Sequence, residues 1–134
     1  MNERMKILKE VAIRADTFRG NTEALGKKAK NAFSEKHKSQ LRNLENIANS
    51  ALKVSDVLDY IKRQTGRDEK WKKEEFGKEL LEKLEKELQK KRDQICNNLG
   101  VTKEIDKLEV YLLLIREFIK QIVVHYEYEL GESS

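Results

Sequence analysis

The sequence predicts an all-α fold: a compact helical bundle of about five helices with a long apolar C-terminal helix. Three observations carry this. Apolar residues recur at helical spacing along most of the chain. No alternating run of β-branched and aromatic residues appears, and no Asn-Gly or Asp-Gly hairpin signal. Glycines and capping residues stand where the periodic stretches begin and end. The 134 residues suit a single domain spanning 1–134, and 38% apolar residues suffice for one modest core.

The first helix is expected over about 3–18, with Met5, Leu8, Val11, Ala12, Ala15 and Phe18 on one stripe. Gly20-Asn21 breaks it, and Asn21 or Thr22 caps a second helix carrying Leu25, Ala29, Ala32 and Phe33. Lys36-His37-Lys38 reads as a loop or a frayed helix end. Ser39 opens a third helix that runs to Thr65-Gly66, with Leu44, Ile47, Ala48, Ala51, Val54 and Leu58 on one arc. Arg42, Asn46, Asn49 and Lys53 share another arc. Lys62 falls on the apolar arc, which suggests an exposed or bent last turn. Residues 67–75 form a loop or a short turn of helix around Trp71.

A fourth helix is expected from about Phe76 to Leu99, with a narrow stripe of Leu80, Leu81, Leu84, Leu88, Ile95 and Leu99 and a stop at Gly100. Thr102 caps the last helix, which runs to about Leu130. Its main face holds Ile105, Leu108, Tyr111, Leu112, Ile115, Phe118, Ile119, Ile122, Val123 and Tyr126; Val110, Leu113, Leu114 and Val124 lie roughly opposite. A helix apolar on both sides must be covered on more than one side. It is the central helix of the bundle, or it also forms an oligomer contact through Tyr111, Ile115, Phe118 and Ile122.

The usual chemical constellations are missing. One cysteine, Cys96, leaves no disulfide framework, and its spacing makes it a packed seam residue. His125 and Glu129 sit at i, i+4 without a third ligand, so no metal is expected there. There is no glycine-rich phosphate loop and no nucleophile elbow. No cofactor and no enzymatic activity are expected. With no long uncharged apolar stretch and no leader-like N-terminus, the expected compartment is the cytoplasm, with no membrane contact.

Charge is the remaining signal. The net charge is +4, but residues 1–67 hold 15 Lys/Arg against 8 Asp/Glu. Such a half can be a solvated surface or a polyanion-binding face. Lys and Arg neutralise phosphates without reading sequence, and Arg grips a phosphate with two hydrogen bonds. The candidate RNA-binding residues are Arg42, Lys53, Arg63 and Arg67, with Lys27, Lys28, Lys30, Lys36 and Lys38 adding to the field. Trp71, flanked by lysines, stacks on a base or closes the apolar end of the bundle; the usual burial of Trp favours the second.

Three stretches occur in a suggestive order. Ser39-Gln40-Leu41-Arg42 opens a helix. Tyr60-Ile61-Lys62-Arg63-Gln64-Thr65-Gly66-Arg67 ends one. Val123-Val124-His125-Tyr126-Glu127-Tyr128-Glu129-Leu130-Gly131 closes the chain's last helix. Over about residues 39–131 this resembles the small helical subunit of type III CRISPR–Cas effector complexes, the Csm type more than the Cmr type because of Ser39 to Arg42. Leu41 stands where that family more often has Ile, Gln64-Thr65 where it tends to have alanines, and residues 1–38 match no part of it. The resemblance implies a non-catalytic subunit of an antiviral ribonucleoprotein. Copies would stack along the complex beside other effector subunits and grip guide and target RNA. It carries over Arg42 and Arg67 as RNA contacts; Arg63 is added from charge and position. The competing expectation is a generic helical adaptor that homodimerises through its C-terminal helix and binds only protein.

Overall fold

A computed structural model describes residues 2–133. The elements are α1 (Glu3–Ala15), a 3-10 turn (Asp16–Phe18), α2 (Arg19–Phe33), α3 (Ser39–Ser50), α4 (Val54–Arg67), one-turn α5 (Glu69–Lys72), a short turn (Lys73–Glu75), α6 (Phe76–Glu82), a π-helical stretch (Lys83–Glu87), α7 (Leu88–Leu99) and α8 (Glu104–Ser133). Among the described residues there is no strand. Joined where the helical path is continuous, they make five main rods: 3–33, 39–50, 54–67, 76–99 and 104–133. The all-α bundle is as expected, but two of its joints fall elsewhere.

The first rod does not stop at Gly20-Asn21, which lie inside α2. It tightens at Asp16–Phe18, where the backbone stays right-handed helical. Tightening frees a carbonyl of the regular ladder, and a neighbouring helix takes it up: Gln121 Nε2 donates to Ala15 O at 2.9 Å. Thr22 is therefore no cap. It is fully buried, with its hydroxyl 3.1 Å from Phe18 O and 2.9 Å from Gln121 Oε1. The buried stripe of the first rod is Ile7, Val11, Ala15 and Phe18; Met5, Leu8 and Ala12, expected on it, are exposed.

The third helix, expected to run unbroken to Gly66, is two helices. Ala51 and Lys53 are extended, and Leu52 between them is 81% exposed. The end of α3 is held by an arginine from α8: Arg116 Nε donates to Ala48 O at 2.9 Å and its Nη2 to Ala51 O at 3.1 Å. Two carbonyls that would otherwise lack partners thus receive charge-assisted bonds. The break resets the helical phase. α4 buries Val57 and Ile61, and Lys62 no longer falls on an apolar stripe. Lys53 leaves the arc it was expected to share with Arg42, Asn46 and Asn49.

α6 and α7 form one rod, whose π-helical stretch meets α8 where the Tyr111 hydroxyl donates to Leu84 O at 2.7 Å. Gly100, in the left-handed region at φ 68°, ends it as expected. The first backbone bonds of α8 run to Lys103 O, so Thr102 lies just outside, and the helix continues through Gly131 to Ser133.

α8 runs through the middle, against α1, α2, α3 and α7. Val110 and Leu114 on one side and Tyr111, Ile115, Phe118, Ile119, Ile122 and Tyr126 on the other are all buried in one core cluster. Its main apolar side is thus covered by its own chain along most of its length, and the opposite side in part, Leu113 being half-buried. Tyr111, Ile115, Phe118 and Ile122, expected as a self-association face, are core residues and unavailable for such a contact. Ile105 is 73% exposed, and Val124 is exposed too. Gly26 lets α2 approach α8 closely: a Cβ there would lie 2.5 Å from His125 Cβ. Cys96 is packed in the core, and burial pushes its thiol pKa up.

Candidate nucleic-acid interface

α3 and α4 lie side by side, and the start of α3 meets the end of α4 through two glutamines. Gln64 Nε2 donates to Gln40 Oε1 at 3.3 Å, and the same oxygen accepts the indole N–H of Trp71 at 3.0 Å. Trp71 is completely buried, with Phe33, Tyr60 and Phe76 around its ring at centroid distances of 5.4, 6.2 and 5.6 Å. It closes the apolar end of the bundle, as its burial habit suggested, and presents no face to a base.

The other end of Gln64 holds Arg67. Its Oε1 accepts from Arg67 Nε at 3.2 Å and from Arg67 Nη2 at 2.9 Å. Arg67 is exposed, and Arg63, one helical turn earlier on the same face, is exposed as well. Tyr60 is half-buried beneath this face; burial raises its phenol pKa, and the Arg67 charge pulls partly the other way. Just beyond, Asp68 caps α5 by accepting from Lys70 N at 2.9 Å. That bond holds its carboxyl pKa below the ordinary value, with Lys70 and His37 adding to the effect. The turn of residues 34–38 therefore sits close to the end of α4. Exposed Arg63 and Arg67 thus stand at the end of α4, while Lys36 is exposed on the turn and Lys38 belongs to the other flank, where it lines a groove with Arg42.

The remaining candidates are placed differently. Arg42 lies two residues past Gln40, about 200° around α3, and so faces the other flank. There it lines an open groove between α3 and α8 with Lys38, Leu41, Val123, Tyr126 and Leu130, and with the carboxylates of Glu35, Glu45 and Glu127. Tyr126 at its floor donates a hydrogen bond to Ser34 O; burial raises its pKa, and Glu35 and Glu127 push it further up. The structure thus does not bring Arg42 and Arg67 onto one face. Lys53 precedes the first residue of α4, whose two ends lie about 20 Å apart. Lys27 pairs with Glu23 at 3.6 Å on the exposed face of α2, and half-buried Lys28 pairs with Glu79, so each has a carboxylate partner within the chain. Lys30 is half-buried in the last turn of α2.

Gln40 and Gln64 went unnoticed as functional residues in the sequence. The i, i+3 spacing of Gln64 and Arg67 was available as a signal; the Gln40–Gln64 pairing, 24 residues apart, was not. Among the described residues no group of three His, Cys, Asp or Glu side chains is placed to hold a metal ion. No helix among them is long and apolar enough to cross a membrane. No family model, curated protein or solved structure matches the chain.

Proposed function

We propose that this chain is a non-catalytic RNA-binding subunit of a larger ribonucleoprotein, of the kind its resemblance to the Csm-type small subunit implies. In this reading it works in the cytoplasm beside other effector subunits and contacts guide and target RNA through phosphates, without reading sequence. The observation that carries the reading is the pair of exposed arginines one turn apart at the end of α4, Arg63 and Arg67, with Arg67 held by Gln64. Free cations concentrated on one surface release counterions when they meet a polyanion. Trp71 is buried, so the surface offers phosphate contacts and no indole platform for a base. Arg42 is demoted by the three carboxylates around its groove, and Lys27 and Lys28 by their ion pairs.

Of the contact suggested for the adaptor reading, Tyr111, Ile115, Phe118 and Ile122 are buried in the core, while Ile105, Val124 and Tyr128 are exposed on α8. A filter-binding titration against an arbitrary single-stranded RNA and an RNA duplex, at two salt concentrations, tests the proposal. Salt-sensitive binding is expected, weakened alike for all sequences by the double reversal Arg63→Glu with Arg67→Glu. Absence of binding at low salt, or an unchanged affinity and salt slope in the double variant, overturns it.

A further inference from the structure

We infer that Gln64 is the positioning residue of this surface: it fixes the Arg67 guanidinium so that one edge is committed inward and the other is presented to a single phosphate. The inference rests on the RNA-binding reading above. Gln64 Oε1 takes both Nε and Nη2 of Arg67, at 3.2 and 2.9 Å. Guanidinium is a planar fork with five N–H donors. With one edge engaged by an amide oxygen, Nη1 and the remaining Nη2 proton point away from the helix. That leaves two donors in the spacing a phosphate accepts.

The amide is itself oriented. Gln64 Nε2 donates to Gln40 Oε1, and that oxygen is pinned by the indole N–H of a completely buried Trp71. A run of hydrogen bonds therefore links a completely buried residue to one that stands in solvent. An Arg held in place has less rotamer freedom to lose on meeting its ligand than one on a free stem. Arg63, on the same face without such a brace among the hydrogen bonds of the end, supplies charge but not direction. The amide is better suited to this role than a carboxylate. It accepts from Arg67 without cancelling the positive charge that attracts the RNA.

The experiment is a double-mutant cycle on the full chain, with Gln64→Leu and Gln64→Asn made in the wild-type and the Arg67→Gln backgrounds. The probe is a uridine oligonucleotide titrated across a range of salt. Each Gln64 variant is expected to weaken binding about two- to ten-fold in the wild-type background. Each leaves the salt slope unchanged, since no cation is removed. In the Arg67→Gln background, which itself lowers the slope by about one, neither is expected to have any further effect. A merely structural role for Gln64 predicts the same loss in both backgrounds, and that result overturns the inference. So does an unchanged affinity in both Gln64 variants. Wild-type protein that binds no RNA at all overturns the underlying reading instead.

Discussion

On the α4 side of α3, Gln40 meets Gln64 and Trp71, and Arg67 stands braced in solvent, with the neighbouring Asp68 carboxylate paired to Lys70 at 3.2 Å. On the α8 side, Arg42 and Lys38 share a groove with Glu35, Glu45 and Glu127. The two arginines are 25 positions apart on successive helices, yet the flank of α3 that meets α4 holds a directed cation and the other a mixed field. A positive residue on a basic stretch is therefore no measure of its potential toward a phosphate. What counts is which carboxylates the fold folds back beside it, and whether its stem is held.

Four substitutions break or sharpen this contrast. Trp71→Ala has the largest expected effect: removing a fully buried indole destabilises the chain by about 3–5 kcal/mol in urea unfolding. It also releases Gln40, so RNA affinity should fall even where the protein remains folded. Arg116→Met strikes the other flank. Losing two charge-assisted bonds to α3 carbonyls costs about 2 kcal/mol, with RNA affinity unchanged under conditions where the variant is folded. If that variant loses affinity as Trp71→Ala does, the two flanks are not independent. Arg67→Glu should then weaken RNA binding roughly ten-fold at low salt and lower the salt slope, while Arg42→Glu stays within about two-fold; equal losses would erase the distinction.

The smallest effect belongs to Asp68. Replacing this cap by Ala costs about 0.5–1 kcal/mol at neutral pH. Its folded-state pKa is depressed below the ordinary 3.8. Its contribution is thus complete above that value and is lost as the pH falls through the lower, folded-state pKa. Asp68→Asn keeps a capping oxygen and should flatten the acid limb of the stability curve while leaving the neutral region almost unchanged.

Much of the bundle was legible because burial has a period. Leu25, Ala29 and Phe33 in α2, Leu80, Leu84 and Leu88 in the fourth rod, and Ile115, Phe118, Ile119 and Ile122 in α8 lie in the core as their spacing indicated, whereas Ile105 and Val124 do not. The joints were less legible. Gly20-Asn21 looked like a stop, yet the first rod only tightens, at Asp16–Phe18, and continues. Ala51 to Lys53 looked helical, yet the chain is extended there because Arg116 supplies partners for the carbonyls of α3. Neither signal is local: Gln121 lies 106 residues from Ala15, and Arg116 lies 68 from Ala48.

The candidate surface divides in the same way. The pattern of residues alone told that the molecule is helical, that α8 needs cover on two sides, and that its surplus positive charge lies in the first half. All three follow from composition and a period of 3.6 residues, which the chain carries wherever it folds. That Lys28 pairs with Glu79, that Arg42 and Arg67 face apart, and that Gln40 orients Gln64 were settled only when the helices packed. Those outcomes depend on angles around a helix axis reset by a single break, and on partners that meet only across the bundle. A one-dimensional pattern does not carry that information.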